Sequence, residues 1–251
     1  MDDKPILIVH PYDKSTQFLS KIKMHLVNNF GNQVHHFNVY PDENSHNECI
    51  ERIAAHKVNG LIIFLGHGRT DKLYGAKGDL FNSSDFTSTE AKNENLSAYY
   101  YNDNFINENN VEIFKQKKVF CLACNSNNKI AALAMDKGAK FFLGFGDIPT
   151  SPAEFIEHEV LNKVGQNIST ISSLMRKELN YIIKKSLFLS IQKKTTSRDL
   201  LSYIHFIANQ RLADLLVNQK NYKERYVLAD YIYFLKKGAK ILGDSNLSLI
   251  D

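Results

Sequence analysis

Two short apolar runs, each ending abruptly in polar turn residues, constrain this 251-residue chain more than any other feature. The first, LIIFL at residues 61–65, is bounded by Gly60 and Gly66 and delivers His67 ahead of Gly68. The second, VFCLACNS at residues 119–126, ends on Cys124 and turns at once into Asn125 and Ser126. Apolar runs of this length with no polar alternation read as strands buried on both faces, the habit of parallel sheets covered by helices. If the two runs are neighbouring parallel strands, their carboxyl ends coincide, and open α/β sheets place their ligand sites at that edge. A base and a nucleophile then meet there.

The rest of the chain reads as scaffold for that pair. Residues 5–9 predict a buried strand, and residues 15–30 a helix with Phe18, Leu19, Ile22, Leu26 and Phe30 on one face, ending at Gly31. A strand over 33–40, a helix over 47–57 with Cys49, Ile50, Ile53 and Ala54 inward, and the run at 61–65 follow. Further along come a strand at 114–123, a helix at 129–137 and a strand at 139–145 punctuated by Gly144 and Gly146. Alternating strand and helix implies an α/β fold, a doubly wound and mostly parallel sheet flanked by helices. Residues 79–110, rich in Asn, Ser and Asp, read as an excursion over the carboxyl edge, either a substrate groove or lid or an insertion without a role. Beyond Pro149 and Pro152 the pattern is helical over 153–164, 169–192, 197–218 and 222–242, with a fraying tail. The segment KKTTSR at 193–198 marks a boundary, with Ser197 as a helix cap. The expected units are an α/β domain at 1–192 and a helical extension at 193–251 packed on it.

Several classes are excluded at this level. No run of about 18 apolar residues exists to span a bilayer, and MDDKPILIVHP lacks the features of a signal peptide. Three cysteines, Cys49, Cys121 and Cys124, are too few for a disulfide framework, so a cytoplasmic protein with free thiols is expected. The net charge of +4 gathers in Lys184, Lys185, Lys193, Lys194, Lys236 and Lys237. Such pairs read as a solvated face, so neither nucleic acid nor membrane is expected as a partner. The C-x-x-C of Cys121 and Cys124 is a single pair with one member inside a strand, and His35 and His36 have no ligand spacing; no metal and no cofactor are expected. Phosphate-binding glycine patterns are absent.

A cysteine thiol is mostly protonated at neutral pH and needs a base before it attacks a carbonyl. His67 is that base, and no third catalytic residue is evident. The backbone N–H groups of Gly68 and Cys124 are the expected oxyanion donors, worth roughly 3 kcal/mol each when well placed. Glycine on both sides of His67 lets the backbone approach a bound peptide. Gly146 and Asp147, after the strand next to the cysteine strand, are expected substrate contacts. The Asp147 carboxylate suits an Arg or Lys side chain, and equally reads as a turn cap before Pro149; Arg69 would instead suit an acidic side chain, and reads also as a solvated loop residue.

GLIIFLGHG followed by KVFCLACNS resembles the His-Gly and Ala-Cys motifs of the caspase-like cysteine peptidases, most closely the CHAT-domain branch related to separase and the caspases. AKFFLGFGDIPTSPAEFIEHEVLNKVGQNIST is similar to the segment that follows the cysteine strand in that branch, so the likeness spans about residues 5–185. The caspase spacing of about 50 residues from histidine to cysteine matches that from His67 to Cys124. LACNS departs from QACRG, so specificity for aspartate does not carry over. The resemblance implies a cysteine endopeptidase acting on a protein substrate, under the control of an activating protein, in bacterial antiviral defence or programmed death. The alternative is a latent or non-catalytic caspase-like module that binds a partner protein.

Overall fold

The structure is a computed structural model and describes residues 4–77, 104–149, 168–219 and 223–250. Its strands are β1 (Ile6–Pro11), β2 (Val34–Val39), β3 (Leu61–Leu65), β4 (Gly68–Arg69), β5 (Lys72–Leu73), β6 (Lys118–Leu122), β7 (Phe141–Gly144) and β8 (Lys240–Gly243). Its helices are α1 (Ser20–Phe30), α2 (Glu43–Ala55), α3 (Lys129–Asp136), α4 (Ile168–Gln192), α5 (Ser197–Ala213) and α6 (Arg225–Gly238). Six strands form one sheet in the order β2-β1-β3-β6-β7-β8, parallel except for β8, while β4 and β5 make a separate two-stranded ribbon. The doubly wound α/β arrangement expected from the sequence is therefore present.

Alternating residues of each central strand feed two cores, one per face. Ile6, Ile8, Leu61, Ile63, Phe120 and Leu143 pack beneath α1, α4, α5 and α6. Leu7, Val9, Ile62, Phe64, Val119 and Phe142 pack beneath α2, α3 and a short 3-10 turn at Val111–Phe114. Every residue of β1, β3, β6 and β7 is buried, which is why these strands read as apolar runs, with His10 and Lys118 as their polar members. Cys49 and Cys121 sit in the second core, as a core role for each predicts.

Several boundaries and one element differ from expectation. The first helix begins at Ser20, because residues 13–16 form a turn and Gln17–Leu19 a 3-10 segment. The second begins at Glu43, capped by Asp42, whose side chain accepts from Ser45 N at 2.7 Å. Thr196, not Ser197, caps α5, in a reciprocal box with Asp199; Ser197 is buried and donates its hydroxyl to Ser245 O at 3.1 Å. The tail does not fray. Lys240–Gly243 pairs antiparallel with β7 as the sixth strand, and Leu249 and Ile250 are buried. Its edge position, half exposed, explains why its residues continue the helical pattern in sequence. The helix expected at 153–164 and residues 79–103 of the expected excursion at 79–110 lie outside the described residues. Phe105 and Ile106 at the end of that excursion are buried, with Ile106 bridging Leu73. Among the described residues no helix is long and apolar enough to cross a membrane. The paired lysines are exposed or half-buried, with Lys185, Lys193 and Lys236 lying over Tyr181, Tyr203 and Tyr233.

Candidate active site

Register brings His67 and Cys124 to the same edge of the sheet. β3 and β6 are adjacent and parallel, with Leu65 opposite Leu122, so His67 and Cys124 each follow two residues after the last pair. Gly66 N donates to Leu122 O at 3.2 Å and carries the pairing one step further. The glycines flanking His67 are needed by the protein's own packing. A Cβ on Gly66 would lie 3.0 Å from the Phe64 ring, and one on Gly68 would lie 3.1 Å from both Ala123 Cβ and Leu73 Cδ2. Tyr74 N donates to His67 O at 3.0 Å, which makes His67 and Tyr74 a hydrogen-bonded pair. The next pair, Gly68 and Leu73, is then the non-bonded kind, and the Gly68 N–H turns away from β5.

The turn after Cys124 is fixed on several sides. Asn125 takes φ 54°, a left-handed conformation that asparagine tolerates better than most residues, and its N–H donates to Gly146 O at 2.9 Å. The Ser126 hydroxyl donates to Cys121 O at 2.9 Å and accepts from Phe145 N at 3.0 Å. A Cβ on Gly144 would lie 2.6 Å from the Ser126 carbonyl, so β7 admits this turn only with glycine there. Asn127 N donates to Phe145 O at 3.0 Å, and its side-chain amide to Gly238 O at 2.7 Å, which ties the turn to the end of α6. Gly146 and Gly238 touch backbone to backbone; a Cβ on Gly238 would lie 2.8 Å from Gly146 N.

Of the three free cysteines, Cys49 and Cys121 are buried and Cys124 is partly exposed. Burial pushes the Cys49 and Cys121 thiols far above the usual range, which makes both inert. The Cys124 Sγ lies 3.6 Å from Ile148 O, as a donor to it.

Sequence reasoning missed the residues on the other side of His67. The turn after β1 places the Ser15 hydroxyl 2.5 Å from His67 Nε2 and Asp13 Oδ1 3.6 Å from the same nitrogen. Asp13 Oδ1 accepts from Ser15 N at 2.6 Å and from the Ser15 hydroxyl, an Asx turn closed by the side chain. Burial raises the Asp13 carboxyl, but hydrogen bonds from His67 and Ser15 outweigh it and hold the group well below the usual carboxylate range. The strand order puts this turn beside β3, at the point where the order reverses between β1 and β3 and α/β sheets open their ligand crevice. The signal was the D-K-S run directly after the first buried strand.

His67 and Cys124 line one small cavity of about 20 Å³ with Thr16, Leu122, Ile148 and Leu179. A second cavity, of about 430 Å³, is lined by Asn127, Asp147, Pro149, Asp230, Phe234 and Lys237, among others. Residues 147–149 separate the two, since Ile148 faces the first and its neighbours the second. Arg69 is exposed on β4 and lines neither cavity among the described residues. Gly146 supports the cysteine turn through its carbonyl. Among the described residues no three His, Cys, Asp or Glu side chains gather as metal ligands.

Fold and site thus define a mostly parallel α/β protein with a cysteine and a histidine side by side at the carboxyl edge of its sheet. No protein-family model matches the chain, and no curated protein or solved structure is significantly similar to it.

Proposed function

We propose that the chain is a cysteine endopeptidase of caspase-like, CHAT-branch type, with His67 as base and Cys124 as nucleophile. The observation that carries this reading is the register of Leu65 with Leu122, which delivers both side chains to one cavity. His67 takes the thiol proton, and the thiolate attacks the peptide carbonyl. The Gly68 and Cys124 N–H groups receive the developing oxyanion. His67 returns its proton to the leaving amine, and water then hydrolyses the acyl-enzyme. The Asp147 carboxylate at the larger cavity supports a basic residue before the scissile bond, and loss of cleavage after Arg or Lys in Asp147→Ala tests that preference. Three free thiols suit a reducing compartment such as the cytoplasm. A regulated role in bacterial defence or programmed death rests on the sequence resemblance alone.

One observation favours a second reading, a latent module opened by a partner protein. A cavity of about 20 Å³ holds a water but no peptide, and the thiol is engaged by the Ile148 carbonyl. Incubation with a peptide-based covalent cysteine probe, with and without candidate activators, followed by intact mass, separates the readings. Labelling that vanishes in Cys124→Ala and collapses in His67→Ala is the expected result. No labelling under any condition overturns the peptidase reading.

A further inference from the structure

The polar contacts around His67 fix where protons must lie. A serine hydroxyl has one proton, an ionised carboxylate only accepts, and a neutral imidazole donates from one nitrogen and accepts at the other. The Ser15 hydroxyl bonds Asp13 Oδ1, so its single proton points there. Its oxygen then meets His67 Nε2, 2.5 Å away, only as an acceptor. In a neutral ring this arrangement puts the imidazole proton on Nε2 and the lone pair on Nδ1.

We infer that Asp13, acting through Ser15, is a positioning residue that holds His67 in its Nε2–H tautomer and so makes Nδ1 the base for the Cys124 thiol. This rests on the Cys–His reading above. In the step itself the thiol proton moves to Nδ1, leaving a thiolate and an imidazolium, and no other bond is made or broken. Asp13, 6% exposed and 3.6 Å from Nε2, offsets the positive charge that appears on the ring. The remaining contacts of the turn hold Asp13 in place. Thr16 N and Thr16 Oγ1 donate to Asp13 O at 3.1 and 3.3 Å, and buried His10 Nε2 sits 3.3 Å from Thr16 O. Asp13 lies against His67 and Cys124 shares its cavity; Lys14 and Arg69, the nearest cations along the chain, are exposed.

In Asp13→Asn a donor amide can replace the carboxylate. The Ser15 hydroxyl is then free to turn and donate to Nε2, which moves the imidazole proton to Nδ1 and removes the base. Two readouts test this independently of peptide cleavage. The first is a ¹⁵N spectrum of the histidine-labelled protein, assigned with His67→Ala. It should show His67 protonated at Nε2 in the wild type and shifted toward Nδ1–H in Asp13→Asn. The second is the pH profile of Cys124 alkylation by iodoacetamide, followed by intact mass with Cys124→Ala as blank. Its apparent pKa should rise by about one unit in Asp13→Asn, an alkylation rate about tenfold slower at pH 6. Ser15→Ala should shift it in the same direction, and Asp13→Glu should recover part of the rate.

An Nδ1–H tautomer in the wild type overturns the inference. So does an unchanged alkylation profile in Ser15→Ala and Asp13→Asn with their unfolding transitions intact. Should Asp13→Asn fail to fold, Ser15→Ala and the wild-type tautomer decide. An Asp13-dependent profile without peptide labelling supports the inference while the peptidase reading fails. Peptide labelling with an invariant profile overturns the inference alone.

Discussion

Acidification will loosen the turn that carries Asp13 and Ser15 through His10, which meets that turn at the Thr16 carbonyl. His10 is fully buried at the end of β1; its Nε2 faces Thr16 O, and its Nδ1 has no hydrogen-bond partner among the described residues. Protonating that nitrogen would put a donor where nothing accepts it. Burial, with Lys23 nearby, lowers its pKa to about 4 from the ordinary 6.5, against a small opposing effect of the Thr16 carbonyl. The sign follows directly. Between pH 6.5 and 4 the unfolded chain binds a proton at this site and the folded chain does not, so the stability present above pH 6.5 is lost as pH falls toward 4. From pH 7.5 to 4.5 the loss amounts to between about 2 and 3 kcal/mol. Asp13 has the same sign, but its contribution begins to disappear only near and below the ordinary carboxyl value of about 4. The assay is urea denaturation at pH 7.5 and 4.5 for the wild type and His10→Gln, which keeps a donor for Thr16 O and removes the titration. Other lowered histidines, His46 and His56 among them, contribute equally to both proteins and cancel. The wild type should lose about 2 kcal/mol more than the variant over this interval. Equal losses would refute the assignment of this pH dependence to His10.

Three further outcomes follow from packing and capping. Gly144→Ala forces a Cβ to 2.6 Å from the Ser126 backbone; it should cost about 1–3 kcal/mol and lower the thermal midpoint by several degrees, read by circular dichroism. Arg211 makes a two-pronged ion pair with Glu178 at 2.7 and 2.8 Å, joining α5 to α4, with side-chain exposures of 26% and 12%. Arg211→Ala should cost about 1–2 kcal/mol in urea, discounted for partial exposure, and Glu178→Gln in the same protein should recover part of it. Thr196→Ala removes the capping box of α5 and should cost about 1 kcal/mol by thermal denaturation, with the Cys124 alkylation profile unchanged.

The central strands were legible because burial on both faces leaves few polar residues to disguise them, and LIIFL is the plainest example. His67 and Cys124 were legible for the same reason, since the first polar residues after such strands must lie at the carboxyl edge. That reasoning applies equally to Asp13 and Ser15 after ILIVHP, but the helical spacing of Phe18, Leu19, Ile22 and Leu26 drew the expected helix start forward over the turn. The start of α2 was hidden because its first turn carries no inward apolar residue before Cys49; the cap at Asp42 was the available signal. β8 was hidden by position. An edge strand needs no continuous apolar run, and KILG follows Leu235 closely enough to extend the helical pattern.

The anchor of the cysteine turn lies late in the chain. Asn127 is held by Gly238, 111 residues further on, and Gly146 rests on the same glycine. During synthesis β3 and β6 can pair, and His67 can meet its turn, long before that glycine has left the ribosome. Until α6 has been made, the turn after Cys124 is left without one of its supports.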